Sequence, residues 1–264
     1  MFNRHHIHGT ATVDRSPPAP IVLVASGKGG VGKSTMAVGL ASGLAAAGVR
    51  VGLVDADTNA PDVPLMIGLS RPRAARSVTI LATPGSTAAR LEPVAWRGVQ
   101  VASAGFLVGD GQALPLAGGL AEALLTRLIW ATEWDAPGCL VLDLPPGTGP
   151  TTQFALGLDG AALVVVATPE RVAHQDTGRL LDLAASAGRT VVGGIENMAY
   201  YTCAHCGEPG PVYPPAEPIA TIWPRVPRLA NVPVLAMLDG EARLAAVVEA
   251  LGPAVTAVRE YLAH

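Results

Sequence analysis

One stretch near the amino terminus decides the fold: Ile21-Val22-Leu23-Val24-Ala25-Ser26-Gly27-Lys28-Gly29-Gly30-Val31-Gly32-Lys33-Ser34-Thr35. Its first five residues form a short, continuous, β-branched run, which predicts a strand buried on both faces of a parallel sheet. The residues after it match the pattern Gly-x-x-x-x-Gly-Lys-Ser/Thr, and the alanine-rich segment that follows predicts a helix. A strand, a glycine-rich loop and a helix in this order are typical of a loop that binds the phosphates of a nucleotide.

Apolar runs like the first one recur along the chain, with helical segments between several of them. The predicted strands are Ile21–Ala25, Val51–Val54, Val99–Ala102, Leu140–Leu144, Ala162–Ala167 and Val191–Ile195, and the predicted helices are Ser34–Ala47, Leu120–Ala131, Ala173–Ala187 and Glu241–Leu262. This alternation predicts an α/β, doubly wound fold with a mostly parallel sheet. We expect a flexible leader at residues 1–18 and a single P-loop domain at 19–264.

Composition excludes several classes of protein. With 50% hydrophobic and 15% charged residues in 264, the chain is neither disordered nor fibrous. The net charge of −3 argues against nucleic acid as a partner. No apolar stretch reaches the ~20 residues that a bilayer crossing needs, and the polar amino terminus lacks a secretory signal. We therefore expect a cytoplasmic protein with no membrane partner.

The lysines and the loop around them predict a nucleotide triphosphate as ligand. Among 18 basic residues, only Lys28 and Lys33 are lysines, and a lysine places a compact charge among phosphates in a way that an arginine does not. Lys33 is expected to reach the β- and γ-phosphates, and Ser34 to bind Mg²⁺. The expected phosphate-binding residues are Gly27, Lys28, Gly29, Gly30, Val31, Gly32, Lys33, Ser34 and Thr35. Because no Asn-Lys-x-Asp string is present to read guanine, we expect ATP.

Carboxylates at the ends of two predicted strands complete this site. Asp143, in Leu142-Asp143-Leu144-Pro145-Pro146-Gly147, fits the Walker B role of holding a magnesium-bound water, and Gly147 allows its N–H to approach the γ-phosphate. Asp55 and Asp57 end the second strand. Each of these two is either part of the magnesium and water site or an ordinary capping or turn aspartate.

The string Cys203-Ala204-His205-Cys206 suggests metal or redox chemistry. It opens a loop at about 200–218, where proline density between Glu208 and Pro218 predicts no regular element. One pair of thiolates is half of the four ligands that iron–sulfur clusters and zinc commonly take, so a two-fold dimer would complete either set. A redox dithiol is the remaining alternative. Cys139 is predicted to be a buried core thiol, and His205 a solvated loop residue.

Taken together, four motifs resemble the Mrp (ApbC-like) iron–sulfur cluster carrier ATPases, within the MinD/ParA class that has a deviant Walker A motif. They are residues 26–34, the Asp55-Ala56-Asp57 string, Asp143 to Gly149, and Glu196-Asn197-Met198 followed by the cysteine pair. The resemblance implies a slow, Mg²⁺-dependent, dimer-dependent ATPase.

The same resemblance assigns roles to individual residues. It implies that Lys28 reaches the phosphates of the partner subunit, that Asp55 lies near the Mg²⁺ shell, and that Asp57 positions the attacking water. It also implies that Asn197 bonds the adenine edge, while Cys203 and Cys206 hold a 4Fe–4S cluster at a homodimer interface. The cluster would come from a scaffold protein and pass to apo-proteins.

The sequence departs from that family at three places. Pro150 replaces a usually acidic residue, prolines replace glycines after the cysteine pair, and a leader containing His5, His6 and His8 stands where relatives carry a small domain. A positioning or partitioning ATPase of the ParA/MinD kind, without a cluster, therefore remains the alternative hypothesis.

Overall fold

The computed structural model describes residues 16–58, 60–69, 90–106, 119–213, 221–235 and 239–264. Their strands are β1 (Ile21–Ala25), β2 (Val51–Asp55), β3 (Val94–Trp96), β4 (Val99–Ser103), β5 (Cys139–Asp143), β6 (Ala161–Ala167), β7 (Thr190–Asn197), β8 (Tyr201–Thr202), β9 (Pro209–Gly210) and β10 (Arg228–Val232). Eight of them form one sheet in the order β10-β7-β6-β1-β5-β2-β4-β3, and β8 pairs with β9 in a separate hairpin. Within the sheet, the β3–β4 pair is antiparallel and every other described pair is parallel.

Helices cover both faces of this sheet. They are α1 (Lys33–Ala46), α2 (Val63–Met66), α3 (Leu120–Trp130), α4 (Pro150–Leu156), α5 (Arg171–Ser186), α6 (Gly240–Ala250) and α7 (Gly252–Leu262). Successive residues of β1 point to opposite faces. Val22 and Val24 join a core with α1, α6 and α7, whereas Leu23 joins a core with α3, α4 and α5. The predicted α/β, doubly wound fold is confirmed.

The parallel topology positions the functional side chains. In parallel register, Asp55 lies opposite Asp143, and Asp143 lies opposite Val24 of β1. The carboxyl ends of these neighbouring strands therefore meet at one edge of the sheet, where the glycine-rich loop begins.

Two local predictions are wrong. The segment Glu241–Leu262 is two helices that meet at Leu251, because Pro253 has no N–H to donate and interrupts the hydrogen-bond ladder. The proline-rich segment after the cysteines is not devoid of regular structure, since Pro209–Gly210 pairs with Tyr201–Thr202. Strands β3 and β10 and helices α2 and α4 were not predicted.

The leader and part of the cysteine loop fall largely outside the described residues. Residues 1–15, with the three leader histidines, lie outside the described ranges. So do residues 214–220, with Pro214, Pro215 and Pro218. Within the described ranges, no helix combines the length and apolar character that a membrane span requires.

Candidate functional site

The loop between β1 and α1 has the backbone of an anion-binding loop. Gly30 and Gly32 both have a φ of 80°, in the left-handed region that glycine adopts without strain. Helix α1 begins at Lys33 directly after Gly32. Its first N–H groups and the positive end of its dipole therefore lie at the loop, as phosphate binding requires. Ser34 and Thr35 follow in the first helical turn.

Lys33 connects this loop to the end of β5. Its Nζ lies 2.6 Å from Asp143 Oδ1 and donates to Ser34 Oγ at 3.2 Å. Both members of the ion pair are buried, with side chains 7% and 1% exposed. Burial raises the pKa of Asp143, and the charge of Lys33 opposes that shift. The predicted Walker A lysine, Walker B aspartate and serine are thus in contact.

Asp55 is fully buried beside this pair. Its Oδ2 accepts from Ser103 Oγ at 2.8 Å and from the Val63 N–H at 3.3 Å. Among the described residues its Oδ1 has no hydrogen-bond partner. Burial first, and the nearby charge of Asp143 second, raise the pKa of Asp55 well above its ordinary value. A buried oxygen of this kind fits a magnesium-bound water or a magnesium ion as its partner.

Two further predicted residues lie on the loops that follow these strands. Asp57 Oδ1 accepts the Ala60 N–H at 3.3 Å. Gly147 has a φ of 85°, and its N–H donates to Ser26 O at 2.8 Å. In this conformation the Gly147 N–H is bonded to the start of the glycine-rich loop rather than directed away from it.

Lys28 is bonded within the same chain to Glu170, the residue that immediately precedes helix α5. Its Nζ lies 2.6 Å from Glu170 Oε2, and both side chains are about one-third exposed (36% and 35%). The hydrogen bond to Glu170 is the main cause that raises the pKa of Lys28. The same helix packs against Gly27, where a Cβ atom would lie 2.1 Å from the Asp176 carbonyl carbon. Glycine at position 27 is therefore required by this packing.

Asn197, at the end of β7, contacts the loop from its other side. Its Nδ2 donates to Val31 O at 2.8 Å. A Cβ atom at Gly32 would lie 2.2 Å from that nitrogen, so the asparagine occupies the space that the glycine leaves.

Next to these residues lies a cavity of about 300 Å³. Most of its lining is apolar, and Thr35, Asn197 and Arg243 are its polar residues. The lining consists of Thr35, Met36, Asn197, Met198, Pro233, Val234, Leu235, Arg243 and Val247. A slot of this composition beside the first turn of α1 suits a flat, aromatic base.

The cysteine pair lies at the tip of the β8–β9 hairpin. Cys203 is half-buried and Cys206 is exposed, and the Gly207 N–H donates to Cys203 O at 2.8 Å. The backbone N–H groups of Cys206 and then His205, with the Cys206 thiol, donate to Cys203 Sγ and lower its pKa. Gly207 takes a φ of 76° to close this turn. Hydrogen bonds to a sulfur of this kind support a thiolate that binds metal.

The third cysteine differs from this pair in its burial and in the pKa of its thiol. Cys139 is fully buried in β5, and burial raises the pKa of its thiol to about 12. This confirms the prediction of a core thiol, and His205 is exposed as predicted. No group of three or more His, Cys, Asp or Glu side chains that could hold a metal occurs in the described ranges. One chain therefore offers two sulfur ligands at the hairpin.

The geometry can be compared with known proteins. Residues 19–259 match the family model described as the NUBPL iron-transfer P-loop NTPases of the ParA type. The chain belongs to this family. It is 35% identical over 214 residues to an iron–sulfur cluster carrier protein of Escherichia coli K12, covering 78% of this chain and 56% of that protein. The chain thus spans a little over half the length of this curated relative.

Solved structures support the same membership in the P-loop NTPases. A nucleotide-binding protein of Archaeoglobus fulgidus, solved in complex with ADP, is 26% identical with a TM-score of 0.64, covering 89% of this chain and 88% of that one. The Pyrococcus furiosus cell division ATPase MinD is 22% identical with a TM-score of 0.64, covering 92% and 99%. The second likeness concerns the fold alone. The predicted resemblance to the iron–sulfur carriers of the MinD/ParA class is confirmed.

For a member of this family, the described residues bring most of the predicted site together. Lys33, Asp55 and Asp143 form one buried cluster, Ser34 lies half-buried beside Lys33, and Asn197 contacts the loop. The cysteine hairpin is a separate feature that leaves the sheet after β7. The individual roles of these residues remain predictions.

Sequence reasoning missed Ser103, Glu170 and the wall of the cavity at Pro233–Leu235. Ser103 is the last residue of β4, and Glu170 lies on the loop that follows β6. Position at a strand end is therefore the signal that could have found them.

Proposed function

We propose that this chain is an ATP-hydrolysing carrier of iron–sulfur clusters. It binds MgATP at the loop of residues 27–35 and holds a 4Fe–4S cluster between the cysteine hairpins of two subunits, which it passes to apo-proteins. The observation that carries the proposal is the cysteine hairpin, preorganised for metal, on the same domain as a complete phosphate loop.

The phosphate site supports nucleotide binding step by step. The loop backbone and the start of α1 receive the phosphate oxygens. Among the described residues, the buried Lys33 forms its ion pair with Asp143. When a triphosphate enters, Lys33 exchanges that carboxylate for phosphate oxygens. The adjoining cavity receives the base, where Asn197 and Arg243 are the polar groups that orient it.

The residues that would hold Mg²⁺ are Ser34, Asp143 and Asp55, of which Asp55 has a buried oxygen to offer. The ion neutralises phosphate charge when it is bound. Asp143, once released from Lys33, would orient the ligands of the ion, and Asp57, on the loop after β2, would position the attacking water. Mg²⁺ and these roles fit the donor set, which is entirely oxygen.

Lys28 has to change partner for the dimer to hydrolyse ATP. Within one chain it is bonded to Glu170. Reaching the phosphates of a second subunit requires that this exposed ion pair opens, which costs little because solvent screens the attraction between exposed charges. Dimerisation and turnover are therefore coupled through one side chain.

The cluster is cargo, and its ligand count calls for two chains. Cys203 and Cys206 supply two thiolates from each subunit, and a two-fold axis brings four together, the number that a 4Fe–4S cluster takes. Release to an acceptor follows when the two hairpins separate. A scaffold protein supplies the cluster at the start of the cycle.

The cargo is tested by anaerobic reconstitution of the full chain, followed by iron, sulfide and zinc analysis and a visible spectrum. We expect about four irons and four sulfides per dimer, lost in Cys203→Ala and Cys206→Ala. Cys139→Ala is the matched control, because it makes the same substitution at the buried thiol and should keep the cluster. Zinc without sulfide in the wild-type protein would contradict the proposal that an iron–sulfur cluster is the cargo.

Nucleotide function is tested in parallel by equilibrium binding of ATP and by phosphate release. Lys33→Ala should abolish binding, whereas the cysteine variants should bind ATP as the wild type does. A protein that binds ATP but takes up neither cluster nor zinc contradicts the carrier function. That result would leave the ParA/MinD-like switch.

A further inference from the structure

The chain enters the cysteine hairpin directly after β7, whose last two residues face opposite sides of the sheet. Asn197 directs its amide to the phosphate loop and donates to Val31 O at 2.8 Å. Glu196, one position earlier, points to the other face, as neighbouring residues of a strand do. The same strand end therefore contacts the nucleotide loop through one side chain and a different structure through the next.

The partners of Glu196 are Trp223, on the segment that returns from the cysteine loop to the sheet, and Arg228, the first residue of β10. Trp223 Nε1 donates to Glu196 Oε1 at 3.0 Å, and Arg228 Nη1 donates to Oε2 at 2.7 Å. Both carboxylate oxygens are thus engaged, and the residue is only 8% exposed. Hydrogen bonds between charged groups are about twice as strong as neutral ones, so this is a firm attachment.

Packing holds the returning segment, residues 221–226, flat against β7. A Cβ atom at Gly194 would lie 2.7 Å from the Trp223 ring, so the indole rests directly on the strand backbone. The Arg228 guanidinium lies 5.3 Å from the centre of that ring, and the His174 ring of α5 meets it edge-on at 5.6 Å. Ile222 is buried in the core on the α5 side.

Both ends of the cysteine loop are therefore fixed to the carboxyl end of β7. The outgoing end follows Asn197 covalently, and the returning end is bonded to Glu196. A change in the position of the Val31 carbonyl, when phosphates bind, acts on Asn197 and through the shared backbone on Glu196.

We propose that Glu196 is a positioning residue that couples nucleotide binding to the geometry of the cysteine hairpin, through the Trp223 and Arg228 contacts. This proposal rests on the proposed function, which supplies the reason for such coupling. Glu196 touches neither the nucleotide nor the sulfur atoms. It transmits the state of the loop to the returning segment, which follows the cysteine hairpin along the chain.

The test uses the reduced, metal-free full chain and needs no cluster. The rate at which a maleimide reacts with Cys203 and Cys206 is measured with and without a saturating, non-hydrolysable ATP analogue and Mg²⁺. The variants are Glu196→Gln, which keeps the shape and removes the charge, and Trp223→Phe, which removes the N–H donor. Asp182→Asn is the control.

Asp182 makes a suitable control because its ion pair with Arg225, at 2.6 Å, fixes the same returning segment to α5 instead of β7. Nucleotide affinity of every variant is measured separately.

In the wild type, the nucleotide should change the thiol reaction rate by at least about fivefold, the lower end of ordinary allosteric coupling. Glu196→Gln should reduce that ratio to less than about twofold at unchanged nucleotide affinity, and Asp182→Asn should keep it. A wild-type ratio near one overturns the proposal. So does an undiminished ratio in Glu196→Gln, or an equal loss in Asp182→Asn.

If Glu196→Gln does not fold, Trp223→Phe decides the question by the same criterion. The proposed function fails separately. A wild type that shows coupled thiols but takes up no cluster on reconstitution contradicts the carrier function and leaves the coupling intact. A wild type that binds a cluster, but whose thiols react at the same rate with and without nucleotide, contradicts the coupling and leaves the carrier function intact.

Discussion

Replacing Gly27 by alanine tests whether the phosphate loop depends on its contact with α5. An added Cβ atom would lie 2.1 Å from the carbonyl carbon of Asp176 and 2.2 Å from the amide nitrogen of Thr177. Both are backbone atoms within a long helix, so no rotamer change can relieve the clash. The loop and the helix have to separate.

The size of that separation sets the expected cost. Carbon atoms in contact lie about 3.5 Å apart, so the two elements must move by about 1.4 Å. Overpacking a close-packed interior commonly costs about 1–3 kcal/mol, and a clash between backbone atoms belongs at the upper end or above it. We expect Gly27→Ala to lower the free energy of unfolding by at least about 3 kcal/mol.

Urea unfolding followed by circular dichroism measures this. With m near 3 kcal/mol/M, the midpoint should fall by about 1 M or more. Gly29→Ala is the matched control, because its Cβ would meet only Pro146 Cγ at 3.8 Å, an ordinary contact. That variant should stay within about 1 kcal/mol of wild type. Equal midpoints for the two variants would refute the packing argument.

Three further predictions concern charge and reactivity. The raised pKa of Asp55 means that the folded state holds a proton that the unfolded state has lost, so stability falls as pH rises from the ordinary aspartate pKa towards the folded one. Asp55→Asn, which cannot titrate, should therefore gain stability over wild type across that window in thermal melts. A constant difference at every pH would contradict this. Lys28→Ala should bind ATP but lose turnover. Its melting temperature should change little because the ion pair with Glu170 is exposed. ATP turnover equal to that of the wild type would exclude the proposed action of Lys28 across the dimer. At pH 8, iodoacetamide should label Cys203 and Cys206 in the native protein. Cys139, with a pKa of about 12, should react only in denaturant. Labelling of Cys139 in the native protein, measured by mass spectrometry, would contradict this.

Much of the nucleotide site could be predicted from the sequence because it is local. The spacing from Gly27 to Ser34 specifies a strand, a turn of glycines and a helix start, and each depends on neighbours within a few residues. Asp55 and Asp143 could be found because each ends an apolar run, and parallel strands place their carboxyl ends at one edge. Their direct opposition across β2 and β5 agrees with that reasoning.

Predictions failed where short segments depend on distant partners. The residues of β10, Arg228–Val232, carry no strand pattern, and the segment is a strand because it pairs with β7. Pro209–Gly210 is a strand only through its pairing with Tyr201–Thr202. The break at Leu251 has a local signal in Pro253, but the apolar pattern continues across it and by itself predicts one helix.

The sequence by itself determined the phosphate loop, the doubly wound class and the two thiols of the hairpin, since these depend on residue type and local spacing. Only the tertiary structure decided the partners. The Lys28–Glu170 pair joins residues 142 positions apart and the contact of Asn197 with Val31 spans 166. The attachment of Trp223 to Glu196 depends on a returning segment seated on Gly194. Such contacts arise from the packing of whole elements against each other. That packing leaves few voids and few buried polar groups without a partner over the entire core, which local spacing does not encode.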